Sequence, residues 1–180
     1  MRIFIILLFT SASLLSLKAQ DFQVITGKSV NIDGVTSFGK FACIYQEEQE
    51  IDTLEINGEP GNPVLDISLP VNEFGCGNKM LNRDFKKTLK SEDYPFISVV
   101  VDKFIKKDGQ YFSSLELDLV GKQLRMNELP FILNDQEQLV ATFEINLSYF
   151  DLDPPKKFLG LLKVHERLKI FLALDLEKKQ

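Results

Sequence analysis

The feature that most constrains this chain is two-residue alternation of apolar and polar side chains. Leu139, Ala141, Phe143, Ile145, Leu147 and Tyr149 face one way, and Thr142, Glu144, Asn146 and Ser148 face the other. Leu168, Ile170, Leu172, Leu174 and Leu176 repeat the pattern near the C-terminus, as Leu65, Ile67, Leu69 and Val71 do earlier. A period of two is a half-buried strand. Further runs cover Phe22–Val35, Phe38–Tyr45, Leu54–Ile56, Phe96–Phe104, Leu115–Leu119 and Leu124–Leu133, the last weakened by Pro130, which cannot donate to a ladder. Asp108-Gly109 is a hairpin turn signal. The acidic residues Glu47, Glu48, Glu50 and Asp52 are read as a solvated hairpin end between two of these runs. Roughly eight strands joined by short turns, each with one oily face, predict an all-β antiparallel structure. Such a sheet must stack on itself or close, because its edges are otherwise exposed. Alternation alone leaves barrel and sandwich both open.

One stretch breaks the pattern, residues 72–95. It holds a Gly75-Cys76-Gly77 turn and then a helix over about 78–90. Asn78 is suited to cap it, since its side chain can accept from the free amides of the first turn. Leu81, Phe85 and Leu89 form an apolar stripe, with Met80 and Thr88 beside them. Lys86, Lys87 and Lys90 lie where the helix dipole favours cations. Pro95 forces Tyr94 out of the helical region. The helix either covers the mouth of the sheet structure or plugs its core.

Residues 1–19 read as a signal peptide: Arg2, an apolar run from Ile3 to Leu17, and Ala19 before the cut. The run is shorter than the about 20 apolar residues of a membrane span. The expected mature protein is one domain, residues 20–180, located in the periplasm or secreted, with no stable membrane insertion after signal removal. Loss of Arg2 and Lys18 with the leader takes the formal charge from −5 to −7. An acidic chain without a basic run argues against nucleic acid and against anionic membrane surfaces. Cys43 and Cys76 are the two cysteines. In an oxidising compartment they can form a disulfide closing about 34 residues, worth roughly 3–4 kcal/mol. Two buried free thiols are the alternative.

No catalytic constellation is present. His165 is the single histidine, set among Lys163, Glu166 and Arg167 as an exposed turn residue. There is no nucleophile elbow, phosphate loop or dinucleotide fingerprint, and two cysteines with one histidine do not complete a metal set. The chain is read as non-enzymatic, without a cofactor or metal. A second irregular segment, Phe150 to Gly160, contains Pro154-Pro155 and offers Phe150, Leu152 and Phe158 to pack inward, as a pinned connection or as the rim of a pocket.

These residues resemble a known family. Phe41-Ala42-Cys43-Ile44-Tyr45, Val71-Asn72-Glu73-Phe74-Gly75-Cys76-Gly77-Asn78-Lys79-Met80, Tyr94-Pro95-Phe96-Ile97, the Gly121-Lys122 step, Phe150-x-Leu-x-Pro-Pro and Gly160-x-x-x-Val164 follow one another as in the YceI-like exported bacterial proteins. After Gly121 the chain departs from the commoner pattern of that family. The resemblance implies an eight-stranded lipocalin-like barrel with a helix over one end, and a tunnel holding a polyisoprenoid or similar long amphiphile. It carries over no catalytic residue. Burial of a methylene gains about 0.8 kcal/mol and a head-group hydrogen bond only about 1 kcal/mol, so selection by chain length and shape is expected. The expected lining is Met80, Phe85, Leu89, Phe143, Ile145, Phe150, Leu152 and Phe158. A hydrophobic small molecule, an isoprenoid or another long-chain lipid, is thus the expected partner. A homodimer stays open, as does a filled barrel serving as a structural or protein-interaction module.

Overall fold

The computed structural model describes residues 21–56, 65–154, 156–157 and 162–177. The strands are β1 (Asp21–Thr36), β2 (Gly39–Ile56), β3 (Leu65–Pro70), β4 (Phe96–Lys107), β5 (Gln110–Leu119), β6 (Lys122–Leu133), β7 (Gln138–Asn146), the two-residue β8 (Lys156–Lys157) and β9 (Leu162–Lys163), and β10 (Arg167–Leu176). Helix α1 (Lys79–Thr88) lies between β3 and β4, and 3-10 turns occupy Val71–Glu73 and Leu147–Phe150.

Eight strands form one antiparallel sheet in the order β2-β1-β10-β7-β6-β5-β4-β3, and β8 pairs with β9 apart from it. Every pair of neighbours in that sheet is consecutive in the chain except β7–β10 and β10–β1, with α1 inserted between β3 and β4, so the path is a meander whose last strand returns to its first. The sheet curls until it is nearly a closed barrel. At its seam Ile44 of β2 and Gly75 exchange both backbone hydrogen bonds at 2.9 Å. The adjacent Cys43 and Cys76 form a disulfide. One backbone bridge and one covalent bond therefore fasten the two edges of the sheet, and the free-thiol alternative does not apply.

The alternation read from the sequence is what the burial follows. β3, β5, β7 and β10 each bury every second residue. The turn after β4 is Asp108-Gly109 with φ of 51° and 81°. Positive φ at both central residues matches the twist of the flanking strands and suits glycine at the second.

Two expectations are corrected. The acidic residues 47–52 do not form a hairpin end, because β2 runs unbroken from Gly39 to Ile56. The strand absorbs them in an irregularity: Gly27 pairs with Glu48 and Ile25 with Asp52, so extra residues are looped out of the ladder. As an edge strand, β2 has one side free of a ladder, where charge is well tolerated. β7 also ends at Asn146 rather than running to Tyr149. The chain tightens into the Leu147–Phe150 turn, which turns Phe150 inward and leaves Tyr149 exposed, its hydroxyl donating to the Gln123 carbonyl at 2.8 Å. Among the described residues no helix is long and apolar enough to cross a membrane. The predicted leader and Phe158 lie outside the described residues.

Candidate functional site

Helix α1 is held from several sides. The Asn78 Oδ1 accepts from the Met80 and Leu81 amides at 3.1 and 2.9 Å, as its capping role requires. The Asn82 Oδ1 accepts from the Cys76 amide at 2.7 Å, tying the helix back to its own approach. At the other end Lys90 takes a φ of 50°, and the Ser91 amide donates to the Lys86 carbonyl at 3.0 Å. That left-handed residue closes the last turn before Pro95. Below the approach, the buried Phe74 ring stacks between Tyr45, at 5.5 Å, and Phe85, at 5.2 Å.

The helix does not plug the barrel. Leu89, its C-cap, is buried, but no residue of Lys79–Thr88 is. Beneath its stripe lies an apolar cavity of about 240 Å³. The helix supplies Met80, Leu81, Phe85, Thr88 and Leu89 to it; the β1–β2 hairpin supplies Ile32, Phe38, Phe41 and Cys43. Leu147, Val164 and Leu168 complete the wall, and Thr36, Lys40, Asn78 and Asp84 give it a polar rim. A second cavity of about 50 Å³ lies deeper, among Val30, Leu69, Ile97, Leu117, Phe143, Ile145 and Leu172. Ile32, Phe85, Leu89, Leu147 and Leu168 line both, so they form the partition between the two.

Phe41 is shaped by the residue opposite it. Gly34 pairs with Phe41 across the hairpin, and a Cβ on Gly34 would stand 2.2 Å from the Phe41 Cζ. Glycine is therefore what lets the ring lie flat across β1 and form the cavity wall.

The expected lining divides. Met80, Phe85 and Leu89 reach the larger cavity, and Phe85, Leu89, Phe143 and Ile145 the smaller. Phe150 and Leu152 are buried but line neither. Sequence reasoning passed over Ile32, Phe41, Leu147, Val164 and Leu168. Their alternation marked most of them as core, and nothing in a strand pattern tells a residue beside a void from one beside another side chain.

Away from α1 the described residues are closely packed: Phe104 packs on Phe131 at 5.0 Å and on Tyr111 at 5.8 Å, and Leu54, Leu115, Leu139 and Leu174 are fully buried. At mid-height sits a polar trio. Lys28 is buried on the face of β1 that carries Val30 and Ile32, and its Nζ lies 3.2 Å from the Glu47 Oε2. The Tyr45 hydroxyl donates to the same oxygen at 2.6 Å. That donated bond, with a smaller contribution from the Lys28 charge, holds the Glu47 carboxyl below its usual range against the opposing effect of burial. Among the described residues no group of three or more His, Cys, Asp or Glu side chains is placed to hold a metal. His165 is exposed, and its backbone amide donates to the Val35 carbonyl at 2.8 Å.

A meander closed on its own first strand, an apolar hollow at one end and a helix across it define a lipocalin-like barrel. Burkholderia cenocepacia BcnA matches it with a TM-score of 0.50 and 15% identity, over 87% of this chain and 96% of that one. The Campylobacter jejuni YCEI protein has a TM-score of 0.47 and 13% identity, over 63% of this chain and 72% of that one. At such identity the likeness to BcnA is one of fold. No protein-family model and no curated sequence matches the chain.

Proposed function

We propose that this protein is an exported carrier of a hydrophobic small molecule, which it takes up beneath α1. The observation that carries the reading is the apolar cavity under a helix that buries none of its own residues, with five wall residues shared with a second, smaller apolar cavity inside the barrel. Ligand pockets commonly measure about 300–1,000 Å³, and an apolar cavity of about 150 Å³ stays dry and takes up benzene. The larger cavity lies between these sizes. It suits the end of a chain or a compact apolar group. An isoprenoid or other long-chain amphiphile enters by its tail, and reaches further only if Phe85 and Leu89 of the partition move aside. The rim can offer Lys40 and Asn78 as donors and Asp84 as an acceptor to a head group. The leader expected over residues 1–19 and the Cys43–Cys76 disulfide support an oxidising location, periplasmic or secreted.

The test is organic extraction of natively purified mature protein followed by mass spectrometry, with titration of added isoprenoid quinones and fatty acids. A stoichiometric apolar molecule, or uptake that is lost in Phe85→Trp at an unchanged melting temperature, is the expected result. An empty extract with no uptake would return the barrel to the filled, structural reading.

A further inference from the structure

Helix α1 carries two chemistries: cations on its outward side and the apolar wall of the cavity on the other. Lys79, Arg83, Lys86, Lys87 and Lys90 recur at helical spacing on the side opposite Leu81 and Phe85, and they line one open groove in which Glu92 and Asp93 are the only acidic residues among those described, leaving it net positive. None of the ion pairs among the described residues engages any of the five. The chain as a whole has a formal charge of −5, so this face stands against the general field of the molecule. The net charge that argued against anionic membranes hides the asymmetry. At the cavity, Phe38 on the β1–β2 turn is 77% exposed and Met80 on the helix 45% exposed. Both also line the cavity, so they mark its lip on the hairpin side and the helix side.

Cations next to exposed large apolar side chains, arranged around an apolar opening, match an interface that is negative outside and oily just beneath. An acidic protein surface would satisfy the lysines but leave Phe38 and the open mouth in water. We propose that the helix end of the barrel docks reversibly on anionic lipid bilayers, with the lysine face on the head groups and Phe38 and Met80 dipped below them. The mouth then opens onto hydrocarbon, and a ligand can pass into the barrel without crossing water. That last consequence rests on the carrier reading; the docking does not.

The experiment is vesicle co-sedimentation of the mature, disulfide-bonded protein, with phosphatidylcholine vesicles compared with vesicles of phosphatidylcholine and phosphatidylglycerol. Binding is expected to the anionic vesicles, to weaken with added salt, and to be slight on phosphatidylcholine alone. The triple change Arg83→Gln, Lys86→Gln, Lys87→Gln lies outside the cavity wall and should reduce the partition coefficient about a hundredfold. Phe38→Ser should reduce it further. Circular dichroism and the melting temperature report that each variant is folded. Ligand uptake measured without vesicles should be unchanged in the triple variant, which separates a failure of docking from a failure of the carrier reading. Absence of binding, equal binding to both vesicle types, or full binding by the triple variant overturns the proposal. The first of these, with an acidic protein co-purifying in its place, would assign the basic face to a protein partner.

Discussion

The half of the barrel beneath α1 and the half away from it are made of the same kinds of residue, yet one is hollow and the other filled. In the filled half, rings from three adjacent strands pack together: Phe104 of β4 touches Tyr111 of β5 and Phe131 of β6. In the hollow half, the rings lie along the wall. Phe41 folds over Gly34, and Phe85 is held against Phe74 rather than pointing down the axis. A filled half anchors the fold at full packing density. The other half can then carry a void, with its attendant loss of contacts, without endangering the whole.

The contrast can be broken by experiment. The largest effect is expected for Phe104→Ala, which should cost about 3–5 kcal/mol in denaturant unfolding, because the site is fully enclosed. Ligand uptake per folded molecule should be unchanged; a loss of uptake would show that the halves are coupled. Next comes Cys43→Ser with Cys76→Ser. It should cost about 3 kcal/mol, and hydrogen exchange should rise around α1 more than in β4 and β5. Uniform exchange would deny that the disulfide serves the hollow end in particular.

Gly34→Ala should cost about 1–3 kcal/mol through overpacking, since the new methyl drives the Phe41 ring out of its place. Its more telling readout is weakened uptake, with a calorimetric titration as the measure. The smallest effect concerns the boundary between the halves. Glu47 has its carboxyl held below the ordinary value of 4.5, chiefly by the Tyr45 hydroxyl and then by Lys28. A lowered folded-state pKa contributes stability that is present above the unfolded pKa and is lost as pH falls through the folded one. Tyr45→Phe should therefore narrow the gap in urea midpoint between pH 7 and pH 3. For a partly exposed carboxylate that change is well under about 1 kcal/mol. An unaltered gap would remove the trio from any account of acid stability.

Much of this was legible in the residues. Period-two runs gave the strands. The break at 72–95, with Asn78 before the stripe and Pro95 after it, gave the helix, and the two cysteines gave the clasp. What escaped had physical reasons. The charged middle of β2 reads as a turn because its alternation fails there, yet an edge strand with residues looped out of its ladder accommodates it. Tyr149 continues the alternation of β7 on paper, but a 3-10 turn reverses which residue points inward. The cavity wall was only half visible. Phe85 and Leu89 stand out because they interrupt a β pattern; Ile32, Leu147 and Leu168 do not, since a residue facing a void obeys the same alternation as one facing a neighbour. The basic face of α1 was masked by an acidic total.

One feature of the topology governs how the molecule comes into being. β1 lies between β2 and β10, with Val30 opposite Leu172. The earliest strand made thus takes its second partner from the end of the chain. Until β10 is present, β1 and β7 are both bare edges, open to pairing with other molecules. Contacts so distant in sequence form slowly. Assembly of the wall must therefore await the whole polypeptide, so a version cut short before Arg167 is expected to aggregate rather than to fold as a smaller barrel.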